Sequence, residues 1–242
     1  MKTRAIILAA GRGSRMKMLS RGRPKCLIEV RGKALLHWQV EAFRGAGIDE
    51  IAVVTGYRRE MVATPGLVEF HNPRWAQTNM VASLACASPW LEEGPCLVSY
   101  SDIFYEASAI ESLLHCPAKL AIAYDVNWRA LWERRFDDPL CDAESFRLNA
   151  DSTLADIGGR PASLDEIAGQ YMGLLRFEPR GWREMARVRE QLSAQERDCM
   201  HMTGTLRRVI DSGRLAISAV PYCGDWGEVD SPGDLAVYEA QG

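Results

Sequence analysis

Near its start the chain reads, from residue 4 to residue 17, Arg4-Ala5-Ile6-Ile7-Leu8-Ala9-Ala10-Gly11-Arg12-Gly13-Ser14-Arg15-Met16-Lys17. The mostly apolar run Arg4–Ala9 predicts a buried strand. The two glycines that follow let backbone amides approach a phosphate closely, and Arg12, Arg15 and Lys17 add positive charge to the same loop. The stretch therefore predicts a first strand that leads directly into a loop able to hold a triphosphate.

Glycines after a first strand also occur in dinucleotide-binding loops, in Walker loops and in plain tight turns. The dinucleotide pattern Gly-x-Gly-x-x-Gly fails at its third glycine, where this chain has Met16, and no acidic residue stands at the distance expected for a ribose hydroxyl. A Walker loop fails as well, because no Gly-Lys-Ser/Thr follows at the right spacing. The loop alone leaves a dinucleotide site or a plain turn open.

Strand-like and helix-like runs alternate along the first half of the chain. Strands are predicted at Arg4–Ala9, Ile51–Gly56, Leu67–His71, Cys96–Tyr100 and Lys119–Tyr124. Apolar positions three and four residues apart predict helices at Leu35–Gly45, Asn79–Leu91 and Ala107–Leu114. This order predicts an α/β fold in which helices cover both faces of a parallel sheet and ligands bind at the carboxyl ends of its strands.

The pattern changes after residue 125. From Asn127 to Arg160 charged and turn residues are frequent, and only short strands are expected, at Ser145–Asn149 and Thr153–Ile157. Regular elements return as strands at Gln170–Phe177 and Leu215–Val220 and as helices at Arg180–Leu192, Met202–Ser212 and Pro232–Glu239. No repeat or low-complexity linker divides the chain, so we expect a single domain over residues 1–242, with 125–170 as an insertion or lid.

Composition excludes several classes of protein. Of the 242 residues, 47% are hydrophobic and 25% are charged, which is typical of a folded globular protein. A net charge of -3 gives no global attraction to nucleic acid or to an anionic membrane, and no apolar stretch reaches the roughly 18 residues of a membrane span. Seven cysteines without a Cys-x-x-Cys pair are typical of reduced thiols, so we expect a cytoplasmic protein without a signal peptide. Four histidines without ligand spacing give a zinc site no support.

A lysine stands next to a rigid proline about ten residues after the glycine loop, in Arg23-Pro24-Lys25-Cys26-Leu27. A single lysine most often lies on the solvated surface. Here its spacing from the glycines favours a position in which Lys25 folds back over the loop and neutralises phosphate charge.

A polar cluster follows the third predicted strand, within the segment 72–84, NPRWAQTNMVASL. Gln77, Thr78 and Asn79 stand where a helix is expected to begin. Their side chains can pair with a base edge, and the free N–H groups of a helix N-terminus attract anionic oxygens. The alternative is that Thr78 or Asn79 only caps the helix.

Two carboxylates from distant parts of the chain are the predicted metal ligands. Asp102 follows the fourth strand in Ser99-Tyr100-Ser101-Asp102-Ile103, and Asp230 lies in the segment 226–235, WGEVDSPGDL. Mg²⁺ bound to substrate phosphates keeps several waters and takes one or two protein oxygens, which this pair can supply. Asp230 also stands where it can cap a helix together with Ser231 before Pro232, and the two roles are compatible.

The segment 124–136, YDVNWRALWERRF, has a helical stripe. Trp128, Trp132 and Phe136 recur every fourth residue, a spacing more often found in a core than in a ligand site. Arg129 and Arg135 are candidates for holding a second anion. Their alternative role is ion pairing with nearby acids, namely Glu133, Asp137 or Asp138.

Together these motifs resemble those of the nucleotidyltransferases that join a nucleoside triphosphate to a sugar phosphate or an alcohol phosphate. The Leu-Ala-Ala-Gly-x-Gly-x-Arg-Met loop followed by Pro-Lys carries the likeness, and Thr-Asn-Met-x-x-Ser-Leu is similar to the branch that uses CTP with phosphocholine or phosphonates. The segments 124–144 and 169–177 look like the acceptor region of those cytidylyltransferases. The resemblance covers nearly the full chain and implies a Rossmann-like nucleotidyltransferase fold with a mixed, mostly parallel sheet.

The resemblance implies a role for each motif, with CTP as co-substrate and Mg²⁺ as cofactor. Lys25 and Arg15 are expected to be catalytic, and Asp102 and Asp230 to hold the metal. The expected nucleotide-binding residues are Leu8, Ala9, Ala10, Gly11, Arg12, Gly13, Gln77, Thr78, Asn79, Ser83 and Ser101. The expected acceptor-binding residues are Asp125, Arg129, Arg135, Tyr171 and Gly173.

The implied reaction transfers CMP from CTP to a small anionic phosphonate or phosphate and releases pyrophosphate. Gly204 stands where we expect an acid in the enzymes that act on amines, which leaves room for a carboxylated acceptor such as phosphonoformate. 2-Aminoethylphosphonate and phosphocholine stay open as acceptors. The partners are expected to be small molecules, with no nucleic acid and no membrane; a homodimer is left open.

Three other functions remain to be distinguished. One is a sugar-1-phosphate nucleotidyltransferase that uses UTP or dTTP, which the Thr-Asn-Met wording disfavours. Another is a dehydrogenase that binds NAD, which Met16 and the C-terminal acid disfavour. The third is a nucleotide-binding protein without turnover, which the joint presence of Lys25, Asp102 and Asp230 disfavours.

Overall fold

The computed structural model describes residues 2–13, 22–62 and 64–240. Its strands, numbered in chain order, are β1 Arg4–Ala9, β2 Glu29–Val30, β3 Lys33–Ala34, β4 Ile51–Thr55, β5 Val68–His71, β6 Cys96–Tyr100, β7 Ile103–Tyr105, β8 Leu120–Asp125, β9 Phe146–Leu148, β10 Leu154–Ile157, β11 Gln170–Phe177, β12 Ser218–Tyr222 and β13 Trp226–Glu228. Its α-helices are α1 Leu35–Gly45, α2 Arg59–Val62, α3 Met80–Ala85, α4 Ser88–Glu93, α5 Ala107–Leu114, α6 Trp128–Arg135, α7 Pro179–Glu190, α8 Ala194–Cys199, α9 Met202–Ser212 and α10 Pro232–Glu239.

The central sheet has seven strands in the order β12-β8-β11-β6-β1-β4-β5. Neighbouring strands run parallel except at β11, which is antiparallel to both β6 and β8. The predicted mixed, mostly parallel sheet is therefore confirmed. Strands β6, β1 and β4 are neighbours and run parallel, so their carboxyl ends lie at the same end of the sheet, where the loops after β1 and β6 begin.

Burial explains why these runs form a central sheet with helices against it. Every residue of β1 after Arg4 is buried, as expected of a parallel strand covered on both faces. Helix α1 buries Leu36, Val40 and Phe43, which are spaced three and four residues apart and so lie on one face. The buried side chains form one cluster that extends through the chain from Ala5 to Tyr238.

Several elements have the predicted bounds, namely β1, β6, β11, α1, α5, α9 and α10. The prediction of one helix over Asn79–Leu91 is wrong, because the chain forms α3 and α4 instead. Pro89 has no backbone N–H to donate and is tolerated only in the first turn of a helix, so a new helix begins at Ser88. The strand predicted at Leu215–Val220 lies later, at Ser218–Tyr222. The sequence did not predict α8 or the short strands β2, β3, β7 and β13.

The segment 125–170 contains helix α6 and the antiparallel pair β9 and β10. The backbone of Leu154 joins it to the sheet edge by donating a hydrogen bond to Ile217 O at 2.8 Å. No helix in the described ranges combines the length and the apolar character that crossing a membrane requires.

Candidate active site

The candidate site lies at the carboxyl ends of β1 and β6. The chain leaves β1 into the loop that contains Gly11 and Gly13, and it leaves β6 into the turn that contains Asp102. Strand β13 pairs with β7 directly after that turn, and the Val229 N–H donates to Asp102 O at 2.9 Å. This pairing brings the C-terminal acids beside Asp102, although more than 120 residues of chain separate them.

Three carboxylates form a cluster at this point. Oxygen atoms of Asp102, Glu228 and Asp230 all lie within 4.8 Å of one another. Asp102 Oδ1 is buried and accepts no hydrogen bond from any described residue. A hard cation such as Mg²⁺ prefers carboxylate oxygens of this kind, so the donor set fits the metal that the sequence predicted.

Glu228 is a member of the cluster that sequence reasoning missed. A signal was present, because Glu228 stands two residues before Asp230 and alternate residues of an extended segment point the same way. Burial raises the pKa of Glu228 to about 8, and the nearby charges of Asp230 and Asp102 act in the same direction. Without a cation Glu228 therefore keeps its proton for most of the time at neutral pH, and a bound cation would favour its ionised form.

Lys25 bridges two members of the cluster. Its Nζ lies 2.7 Å from Asp102 Oδ2 and also donates to Asp230 Oδ1. Burial alone would lower the pKa of Lys25, but the two carboxylates outweigh it and the pKa lies above its ordinary value. The lysine also underlies the glycine loop, because a Cβ at Gly13, whose φ is +66°, would stand 2.8 Å from Lys25 Cβ. Only glycine fits at that position without movement of the lysine.

A cavity of about 230 Å³ opens between the glycine loop and α3. Of the residues expected to bind nucleotide it is lined by Leu8, Ala10, Gly11, Gly13, Thr78, Asn79, Ser83 and Ser101, together with Lys25 and Asp102. Three others do not line it: Ala9 is buried in the core, whereas Arg12 and Gln77 are exposed. The prediction for Arg15 falls outside the described residues.

Hydrogen bonds from Asn72 organise the polar cluster of this cavity. Asn72 Nδ2 donates to Thr78 Oγ1 at 3.0 Å and to Ser83 Oγ at 2.9 Å. Asn79 Oδ1 accepts from Met80 N at 2.7 Å and so caps α3, which was the alternative role considered for it. Asn79 still lines the cavity while it caps the helix.

A second cavity, of about 600 Å³, lies on the other side of the carboxylate cluster. Met80 and Tyr100 line both cavities, so the two are neighbours, and Glu228 and Asp230 line the second one. Tyr171 and Gly173, which were expected to bind the acceptor, line it as well. Gly173 has a φ of +79°, and a Cβ there would stand 2.8 Å from the Tyr100 ring.

The other three residues expected to bind the acceptor do not line this cavity. The side chain of Asp125 is buried, where it accepts from Trp226 Nε1 at 2.9 Å and from Asn127 N at 2.7 Å. Arg129 is exposed and pairs with Glu133. Arg135 is buried and pairs with Asp234.

Helix packing is the physical reason for this correction. Helix α6 turns Trp128, Leu131 and Trp132 inward, and Arg129 lies outside this buried face, in solvent. Ion pairing was the alternative role considered for both arginines, and the structure shows it for both, although the partner of Arg135 is an acid 99 residues away.

The described lining of the second cavity is acidic. It has four carboxylates, Asp142, Glu144, Glu228 and Asp230, and neither lysine nor arginine. Burial raises the pKa of Asp142 and of Glu144. Aromatic rings of Tyr100, Trp132, Phe146 and Tyr171 also contribute to the wall. Acidic and aromatic side chains together are the usual surroundings of a bound organic cation.

A glycine loop, a lysine and a carboxylate cluster at the carboxyl edge of an α/β sheet define a nucleotidyltransferase. Residues 5–170 match the MobA-like NTP transferase domain family, and the chain belongs to that family.

Three similar proteins indicate the branch of nucleotidyltransferases to which the chain is related. CTP:phosphoglutamine cytidylyltransferase of Campylobacter jejuni subsp. jejuni is 34% identical over 96% of this chain and 98% of that protein. 2-Aminoethylphosphonate cytidylyltransferase of Lancefieldella rimae is 35% identical over 42% of this chain and 44% of that protein. The structure of CTP:phosphocholine cytidylyltransferase from Streptococcus pneumoniae is similar in fold, with a TM-score of 0.72, 20% identity and coverage of 100% of this chain and 99% of that one. The predicted relationship to the CTP-dependent cytidylyltransferases and the predicted nucleotidyltransferase fold are confirmed.

Proposed function

We propose that the protein transfers CMP from CTP to a small phosphonate or phosphate that carries an amine, and releases pyrophosphate. The observation that carries this proposal is the position of the cluster of Lys25, Asp102, Glu228 and Asp230 between two cavities. The smaller cavity borders the glycine loop and suits the nucleotide, and the larger one suits the acceptor. The reacting atoms would then meet at the cluster.

The residues present support an in-line displacement. An oxygen of the acceptor forms a bond to the α-phosphorus of CTP while the bond from that phosphorus to the bridging oxygen of pyrophosphate breaks. The second pKa of a phosphate ester is about 6, so the acceptor oxygen is already anionic at neutral pH and no general base is needed. Lys25 neutralises charge at the α-phosphate, and the glycine loop orients the leaving phosphates.

Asp102 and Asp230 would hold Mg²⁺, with Glu228 beside them. When bound, the ion supplies neutralisation of the negative charge on the triphosphate and on the acceptor. Asp102 Oδ1 supports this role, because it is buried and no described residue donates to it, and a buried carboxylate oxygen is costly to leave without a partner.

The charge of the larger cavity favours an amine over a carboxylate on the acceptor. Gly204 lines this cavity and brings no acid, as the sequence indicated, but Asp142 and Glu144 supply acidic groups at other positions. A carboxylated acceptor such as phosphonoformate would bring further negative charge against four carboxylates and no described lysine or arginine. We therefore favour acceptors that carry an ammonium group, namely the 2-aminoethylphosphonate, phosphocholine and phosphoglutamine in the names of the relatives, over phosphonoformate. Phosphoglutamine also carries a carboxylate, but its ammonium group balances that charge, whereas phosphonoformate has no cation.

The segment 125–170 is proposed as one wall of the acceptor site. It contributes Trp132, Asp142, Glu144, Phe146 and Ile157 to the larger cavity. In this proposal the residues that contact the acceptor lie at 142–146, which is the end of the connection from α6 and the first residue of β9, and not on the exposed face of α6.

A panel of nucleotides and acceptors tests the proposal. Pyrophosphate release would be measured with Mg²⁺ and either CTP or UTP, against 2-aminoethylphosphonate, phosphocholine, phosphoglutamine, hydroxymethylphosphonate and phosphonoformate. We expect release with CTP and at least one amine-bearing acceptor, and much less with UTP. Turnover of phosphonoformate alone would contradict the amine assignment, and release with UTP but not CTP would contradict the nucleotide assignment.

A further inference from the structure

Arg135 ends helix α6 with a guanidinium buried behind the carboxylate cluster. Its side chain is 0% exposed and lies 5.0 Å from the ring centres of both Trp132 and Phe136. It does not line either of the two cavities described above, so direct contact with CTP or with the acceptor is not its role.

Two acids face this guanidinium. Arg135 Nε donates to Asp234 Oδ1 at 2.8 Å, and Arg135 Nη1 lies 3.6 Å from Glu228 Oε2. The other oxygen of Asp234 accepts from the backbone N–H groups of Asp230, at 2.9 Å, and of Ser231, at 2.7 Å. One guanidinium therefore lies within ion-pair distance of one member of the cluster, without a hydrogen bond to it, and reaches the backbone of a second member through the carboxylate of Asp234.

The geometry points to Arg135 as a positioning residue: we propose that it holds Glu228 and the Asp230 loop in the arrangement that binds the divalent cation. This inference rests on the proposed function, because it concerns the same metal. Neighbouring carboxylates repel one another when they are ionised. A planar guanidinium that is hydrogen-bonded to Asp234 and ion-paired with Glu228 favours one separation of these two acids, which a lysine ammonium does not. Partners that orient metal ligands change metal affinity by about 10- to 100-fold when they are altered.

Metal affinity in the full-length Arg135→Lys variant tests the inference. The substitution keeps the positive charge, so a change in affinity reports geometry and not net charge. Mn²⁺ binding would be measured by water proton relaxation in the presence of α,β-methylene-CTP, which cannot release pyrophosphate. Circular dichroism establishes that each variant is folded. We expect the folded variant to bind Mn²⁺ about tenfold more weakly, and its turnover to approach that of the wild type at high Mg²⁺ concentration.

The neighbouring Arg134→Lys is the matched control, because Arg134 is an exposed arginine of the same helix. It should bind Mn²⁺ as the wild type does. If Arg135→Lys does not fold, Mn²⁺ affinity would be measured in Asp234→Glu instead. This substitution also keeps the charge but moves the carboxylate that links Arg135 to Asp230. Unchanged Mn²⁺ affinity in the folded variant would overturn the inference and leave the proposed function intact. Absence of Mn²⁺ binding by the wild-type protein would instead overturn the metal site itself.

Discussion

Lys25 Nζ lies 2.7 Å from Asp102 Oδ2, and this contact joins two loops that are 77 residues apart in the chain. It places the positive charge from the loop after β1 against the carboxylate from the turn after β6. Because the same ammonium also contacts Asp230, a single side chain links the three segments that make up the proposed reaction centre.

Removal of this ammonium should abolish most turnover. In Lys25→Met we expect the rate of pyrophosphate release at saturating substrates to fall by about 100-fold or more, because the charge at the α-phosphate is no longer neutralised. Lys33→Met is the control, since Lys33 pairs with Glu41 away from both cavities and should keep wild-type turnover. Equal turnover in Lys25→Met and the wild type would show that Lys25 has no part in the chemistry.

The Asp230→Ala substitution distinguishes a role of Asp230 in metal binding from a role in folding. Asp230→Ala should lose most turnover and remain folded, because it removes one of three mutually repelling carboxylates and opens no apolar cavity. Turnover would be followed by pyrophosphate release and the fold by thermal unfolding. A variant with undiminished turnover would contradict the assignment of Asp230 as a metal ligand.

Glu144 should determine the affinity for an amine. In Glu144→Gln we expect the KM for the preferred amine-bearing acceptor to rise about tenfold, with the KM for CTP unchanged. The reason is that Glu144 lines only the larger cavity, so the substitution removes one carboxylate from the proposed acceptor site and none from the nucleotide site. Asp165→Asn, an exposed acid of the same segment, serves as the control. If both variants have the same acceptor KM as the wild type, Glu144 does not contact the amine.

Two glycines with similar backbone angles should respond differently to alanine. Gly213 has a φ of +63° and open space where a Cβ would lie, so Gly213→Ala should cost only the backbone strain, about 1 kcal/mol. Gly173 has a φ of +79°, and a Cβ would meet the Tyr100 ring at 2.8 Å, so Gly173→Ala should cost about 1 to 2 kcal/mol more. Urea unfolding measures both, and equal losses would mean that Tyr100 moves freely.

The low pKa of Glu184, a residue outside the candidate active site, predicts that the free energy of unfolding depends on pH. Hydrogen bonds from Arg187 lower the pKa of Glu184 to about 2, and Ser212 and Arg214 add to the effect. The carboxyl pKa in the unfolded chain is about 4.3, so this stabilisation is complete above that value and is lost as the pH falls toward 2. We expect Glu184→Gln to lower the free energy of unfolding by about 1 kcal/mol at pH 7, since the arginines are partly solvated.

The difference between Glu184→Gln and the wild type should shrink steadily as unfolding is measured at lower pH. Glu133→Gln, which removes an exposed i,i+4 ion pair with Arg129, provides a comparison with little effect at any pH. A difference that stays constant down to pH 3 would contradict the low pKa of Glu184.

The part of the site that could be predicted follows from one rule about parallel sheets. Residues at the carboxyl ends of neighbouring strands meet at one edge, so the glycine loop and Asp102 could be placed near each other from strand order alone. Lys25 and Asp230 were predicted to belong to the site from their sequence motifs, and in the structure both lie beside Asp102. Strand direction could not be predicted in the same way. The antiparallel direction of β11 depends on its pairing with β6 and β8, and the sequence of β11 itself does not indicate it.

The part that could not be predicted depends on long-range partners. Arg129 and Arg135 lie six residues apart on one helix, yet one is exposed and the other is buried against Asp234. The helical period places Arg135 on the same face as Trp128, Leu131 and Trp132, but nothing within α6 shows that an acid is there to pair with it, because that acid comes from α10. Glu228 was missed for a related reason: β13 is only three residues long and is fixed by pairing with β7.

The most direct test of the central claim is phosphorus NMR of one reaction that contains the protein, CTP, Mg²⁺ and 2-aminoethylphosphonate, with the Asp230→Ala variant run in parallel. Phosphoglutamine and phosphocholine replace the phosphonate in otherwise identical samples. We predict that pyrophosphate and a CMP conjugate of one of these acceptors appear in equal amounts with the wild type and not with the variant. Pyrophosphate without any conjugate, or unchanged CTP with all three acceptors, would contradict the assignment of this site as a cytidylyl transfer centre.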